Sequence, residues 1–228
     1  MLFINSSLFP QTGPVVPDPR EAGAADQSQA RPDAAENYRI GRDLEARSGI
    51  REAAGYYDEA VRICMDEIHQ NAATMDTYTV LTWTLRRQQK YAEVISWGER
   101  ALRIRNNDYR IIETMGEAYF YLNDYPNSLS FMQRYVNGLP HGERTAIAYF
   151  FIGEIFRLQG KFRHADISYT TALRLDPSTS LWWYRLGSVR EAVREYGPAI
   201  QAYEQALRLN PNYSEASQGL ERSRRENT

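Results

Sequence analysis

Cysteine occurs once in the 228 residues, at Cys64. A single thiol excludes an internal disulfide framework and the usual cysteine-rich zinc sites. Near the end of an apolar stretch, Cys64 reads as a small buried hydrophobe rather than a nucleophile. Histidine is nearly as scarce. His69, His141 and His164 stand far apart, and none has a second ligand at a metal spacing such as i, i+4. There is no Gly-rich phosphate loop, no G-x-S-x-G elbow and no dinucleotide fingerprint. No apolar run approaches the roughly 20 residues of a membrane span. The net charge is only −2, which gives no overall positive field for nucleic acid. These absences predict a chain without catalytic residues, metal or cofactor, and with no nucleic-acid or membrane-spanning role.

Proline is unevenly placed. Half of the ten prolines (Pro10, Pro14, Pro17, Pro19 and Pro32) lie in the first 33 residues, among Gly, Ala, Ser and Gln with no periodic apolar face. Such a segment buries too little to offset the entropy of ordering it, so 1–33 is expected to be a disordered Pro/Ala-rich arm. Pro14-Val15-Val16-Pro17 is a weak Pro-rich docking motif. Met1-Leu2-Phe3-Ile4-Asn5 is apolar but short and lacks a basic start, so it is not read as a signal peptide. The expected location is cytoplasmic. The alternative is an exported or periplasmic protein whose signal begins upstream of Met1.

What the sequence does contain is a 34-residue period. Gly153, Ala165, Tyr169, Ala172 and Pro177 return as Gly187, Ala199, Tyr203, Ala206 and Pro211. Fixed-period self-similarity of this length means stacked supersecondary units. Within each copy, aromatic, Leu/Ile and Gly recur at helical spacing, a break follows, and a second periodic run ends at proline. Two helices and a tight turn account for the pattern. Gly153, Gly187, Ala165 and Ala199 allow the two axes to approach closely.

This pattern resembles the tetratricopeptide repeat (TPR). The family's signature types fall on Tyr149, Ile152, Gly153, Phe156, Ala165, Tyr169, Ala172 and Pro177, and again on Trp183, Leu186, Gly187, Ala199, Tyr203, Ala206 and Pro211. Arg190 stands where the aromatic is usual. The resemblance implies an all-α, right-handed α-solenoid of about five helix–turn–helix units plus a C-terminal capping helix, preceded by the N-terminal arm. The units begin near residues 34, 75, 109, 146 and 180, giving repeats over 34–74, 75–108, 109–145, 146–179 and 180–212, with a capping helix and tail over 213–228. The first unit overruns by seven residues through Ile63–His69, which predicts an elongated second helix. The second unit is eroded: Thr82 replaces the packing Gly, and Gly98 stands where an aromatic is usual, with Trp97 beside it as the expected compensation.

An array of this kind has a concave surface lined by the first helix of each unit. Positions left over from packing then face a groove: Tyr38 and Arg42, Thr79 and Trp83, Glu113 and Glu117, Phe150 and Glu154, Tyr184 and Ser188. A turn further on stand Arg86, Arg87, Phe120, Tyr121, Arg157 and Glu191. Large aromatics beside Arg and Glu are usual anchors of protein interfaces. The resemblance also carries a negative. Family members that hold a chaperone's C-terminal carboxylate use Lys and Asn at these positions, which are missing here. The expected function is a non-catalytic adaptor or scaffold that binds a peptide or helix of another protein in its groove. The alternatives are an export-associated, chaperone-like protein holding an apolar ligand or secreted client, and a self-assembly module forming homo-oligomers.

Overall fold

The structure, a computed structural model, describes residues 33–228. The arm expected over the first 32 residues, with its Pro14–Pro17 motif, lies outside the described residues. Among those described there are eleven α-helices and no strand. They are α1 Ala34–Ser48, α2 Ile50–His69, α3 Met75–Arg87, α4 Tyr91–Ile104, α5 Tyr109–Tyr121, α6 Tyr125–Gly138, α7 Thr145–Leu158, α8 Phe162–Leu175, α9 Ser180–Ala192, α10 Tyr196–Leu209 and α11 Ser214–Glu226. The described residues divide into two compact units, α1–α5 and α6–α11.

In the first unit, the Asp33 side chain caps α1 by accepting from the Glu36 N–H at 2.8 Å. Gly49, at φ 97°, is the only residue between α1 and α2, in a conformation that favours glycine. The helix α2 runs for 20 residues, whereas α4 runs for 14. Its buried stripe Ala53, Tyr57, Ala60, Cys64 and Ile68 continues at helical spacing into the overrun, so the extra turns bury the same face. The overrun is also tied to the next helix: Thr77 Oγ1, in the capping box of α3, donates to Glu67 at 2.5 Å.

The eroded repeat is repacked. In the regular pairing, a glycine of one helix lies under a tyrosine 16 residues later. A Cβ on Gly41 would sit 2.7 Å from the Tyr57 ring. In α3/α4 the same two positions, 16 residues apart, carry Thr82 and Gly98, the order of large and small residue exchanged. Thr82 is fully buried and returns its hydroxyl to the carbonyls of Tyr78 (2.9 Å) and Thr79 (3.0 Å). The space over Gly98 is filled by Met115 of α5, whose Sδ would lie 2.5 Å from an added Cβ. This corrects the expectation for Trp97. That ring is half-buried and leans on Tyr78 at 6.5 Å between centroids, while Met115 fills the space over Gly98.

In the second unit, Asp124 caps α6 and Pro126 sits in its first turn, where a missing N–H costs least. The long link to α7 is fastened by Thr145 Oγ1 donating to Leu139 O at 2.8 Å. Gly153 lies under Tyr169, Gly187 under Tyr203, and Gly219 of α11 on the other side of the same Tyr203 ring. Asp176 and Asn210, each before a proline, are extended (φ −143° and −139°), and that ends α8 and α10. The cap α11 buries Ala216, Gly219, Leu220 and Ser223, leaving its charged residues outward.

Candidate functional site

The first helix of each pair is called the A helix: α1, α3 and α5 in one unit, α7, α9 and α11 in the other. In the first unit, the Tyr38 ring of α1 lies 5.7 Å from Trp83 of α3 and 6.3 Å from Tyr57 of α2. Tyr38 and Trp83 are 5% and 8% exposed, so both rings pack between helices rather than standing open. Thr79, Glu113, Glu117 and Phe120 are buried as well. Thr79 turns its hydroxyl back to Met75 O at 2.8 Å. Arg42, Arg86, Arg87 and Tyr121 are less deeply buried than these, though still mostly covered. Tyr121 stacks on Tyr91 with centroids 4.7 Å apart.

In the second unit, Phe150 is buried and stacks on Trp182 at 5.1 Å. Glu154, fully buried, meets Arg157 at 2.8 Å and the Nε of Arg185 at 3.0 Å, the latter as an ion pair without an aligned hydrogen bond. It also accepts from the Tyr169 hydroxyl. Tyr184 lies half-buried between Tyr203 (6.0 Å) and Tyr213 (5.0 Å), with the Arg185 guanidinium over its ring. Beyond it, an open cleft of about 560 Å³ is lined by Ser188, Glu191, Tyr196, Arg222 and Arg225.

These contacts form a recurring device that the groove positions alone do not reveal. A buried tyrosine of the second helix donates to a carboxylate of its A helix: Tyr57 to Glu45 at 2.6 Å, Tyr203 to Glu191 at 2.6 Å, and Tyr169 to Glu154. An arginine from the next A helix then meets the same carboxylate: Arg87 with Glu45 (3.6 Å), Arg185 with Glu154, and Arg222 with Glu191 (2.8 Å). Between α3 and α5 the polarity is reversed, Arg86 meeting Glu117 at 2.8 Å. Sequence reasoning missed Glu45, Arg185 and Arg222 as members of these pairs. The signal was present. Arg86 to Glu117, Glu154 to Arg185 and Glu191 to Arg222 are all 31 residues apart, three short of the period and hence about one helical turn displaced.

The electrostatics follow from this geometry. Burial alone would raise the Glu191 carboxyl, but Arg222 and the Tyr203 hydroxyl outweigh it and hold the group below the usual carboxylate range. Burial, reinforced by the adjacent carboxylates, pushes the Tyr57, Tyr169 and Tyr203 hydroxyls up, and burial raises Tyr213 to about 12. Each carboxylate is thus neutralised by a fixed arginine and hydrogen bond. Among the described residues, no group of three or more His, Cys, Asp or Glu is placed to hold a metal ion.

Comparison with known proteins agrees with the fold. Residues 146–179 and 180–213 each match a family model of the tetratricopeptide repeat. Residues 146–213 are thus two tetratricopeptide repeats, and the described helices follow the paired all-α plan of that class. No curated protein sequence matches it. Among solved structures, PilF of Pseudomonas aeruginosa is similar at a TM-score of 0.67 and 14% identity, over 84% of this chain and 83% of that one. MamA (41–end) of Desulfovibrio magneticus RS-1 gives 0.58 and 19%, over 81% and 99%. YrrB, described as a TPR protein with an unusual peptide-binding site, gives 0.56 and 18%, over 83% and 92%. At these identities the likeness is one of fold.

Proposed function

We propose that the chain is a non-catalytic interaction scaffold that binds a peptide or helical segment of another protein along its A-helix face. The observation that carries this reading is the cross-pairing of successive A helices, Arg86 with Glu117 in one unit and Glu154 with Arg185 in the other. Pairing fixes long side chains that would otherwise lose rotamer freedom when a ligand arrives, so binding starts from a pre-ordered surface. Aromatic rings beside those pairs supply contact area. The peptide-binding site named for YrrB, on the same fold, supports the same kind of ligand.

The test uses partly exposed residues, since truncating the buried Trp83 would perturb folding as well as contact. Arg42→Ala with Tyr121→Ala is compared with wild type by affinity capture and mass spectrometry, with circular dichroism as the control for fold. Specific partners are expected to fall by about tenfold, the loss of one or two interface anchors. An unchanged capture profile at unchanged helical content refutes the face as the site.

A further inference from the structure

The cleft between α9 and α11 has four charged residues in its lining, and they fall into two kinds. Glu191 and Arg222 satisfy each other. Arg222 Nε and Nη2 donate to the two carboxylate oxygens at 2.8 and 3.1 Å, and the Tyr203 hydroxyl adds a third bond at 2.6 Å. Arg225 and Glu226 are exposed at the cleft, and among the described residues neither side chain has an ion pair. The rest of the lining is uncharged. Ser188 returns its hydroxyl to Arg185 O at 3.2 Å, while the hydroxyl of the half-buried Tyr196 has no partner among the described residues.

A cation and an anion side by side, neither matched within the chain, restrict what fits there. An occupant of one charge sign is attracted by one group and repelled by the other, and the two effects largely cancel. The complement must bring an anion to Arg225 and a cation to Glu226. A second copy of this chain does so by symmetry alone. About a two-fold axis, position 225 of one protomer faces position 226 of the other and the reverse, so the pattern is its own complement. The approach is open: every residue from Arg224 to Thr228 is exposed, and the cleft of about 560 Å³ lies beside this turn. A net charge of only −2 repels a second copy weakly.

We propose that the α9/α11 cleft is a self-association site, where two copies meet about a two-fold axis with Arg225 of each protomer against the partner's Glu226. Tyr196 brings an unbonded hydroxyl and a ring to the same contact, and tyrosine is enriched in interfaces. Exposed charge pairs set register and specificity more than affinity, so the dimer forms at high protein concentration and weakens with salt. This association goes beyond the scaffold reading and does not depend on it.

Sedimentation velocity over a concentration series is run on the full chain, on Arg225→Glu and on Glu226→Arg, with circular dichroism as the control for fold. Both positions are exposed, so helical content is expected to hold. Wild type is expected to dimerise, and each variant, which sets like charges against each other, is expected to raise the dimer Kd by at least about tenfold. Mixing the two variants puts opposite charges across the axis again, and it is expected to recover the dimer as a heterodimer. A wild type that stays monomeric, single variants as dimeric as wild type, or a mixture that fails to recover overturns the proposal. Monomeric wild type whose partner capture is lost in Arg225→Glu overturns it in favour of another protein in the cleft.

Discussion

At the scale of single residues, the glycines under tyrosine rings decide how closely two helices approach. A Cβ on Gly153 would lie 2.5 Å from Tyr169 Cε1, inside any real carbon contact, and the ring is fully buried with no room to retreat. Gly153→Ala is therefore expected to destabilise by about 1–3 kcal/mol despite the better helix propensity of alanine. Gly55 of α2 is the control. Nothing lies within 4 Å of a Cβ there, so Gly55→Ala is expected to stabilise by about 0.5–1 kcal/mol. Urea denaturation of both variants checks the pair, and two shifts of the same sign would refute this account of Gly153.

At the scale of elements, the exchange in α3/α4 makes two helices depend on a third. Met115 of α5 fills the space over Gly98, so Gly98→Ala alone must push that side chain aside, and Met115→Ala alone leaves a void. The double substitution relieves part of each defect. A double-mutant cycle is expected to show a favourable coupling of about 0.5–3 kcal/mol, and strict additivity would break the argument. The carboxylate device is tested at the same scale. Glu154→Gln leaves Arg157 and Arg185, only 19% and 14% exposed, without their counter-charge, and it is expected to cost about 3–5 kcal/mol in thermal or chemical denaturation. The elongated α2 was legible in sequence because its apolar stripe simply continues. The role of Met115 was not, because nothing in the spacing of one repeat says which residue of the next will fill a gap.

For the whole molecule, the paired groups set a pH window. Burial would raise Asp108, but Arg110 overrides it, and Asp108 and Glu191 both titrate below the ordinary carboxylate value. Their contribution is complete above that ordinary value, about 4, and is lost as pH falls through the lowered folded-state values. The tyrosine hydroxyls have the opposite sign. Tyr57, Tyr169 and Tyr203 are raised, so their contribution is present below the ordinary phenol value of about 10 and lost as pH rises through the folded-state values. The melting temperature should fall at both ends, with Glu191→Gln flattening the acid limb and Tyr203→Phe the alkaline one. Limbs unaltered by both substitutions would show that these pairs do not set the window.

The sequence by itself determined the helix pairs, their turns and the repeat type of 146–213. A 34-residue period, glycines beneath tyrosines and prolines after α6, α8 and α10 are local signals, and backbone sterics act on neighbours in the chain. Tertiary structure decided which side chains remain available. Tyr38, Trp83, Phe120 and Phe150 occupy the positions their spacing assigns, yet they are buried. Glu154, which the same spacing offers as a groove residue, is held by Tyr169, Arg157 and Arg185. Burial and ion pairing depend on what arrives from the next repeat, about thirty residues away. The period places a residue on a helix face, and only packing fixes whether that face is free.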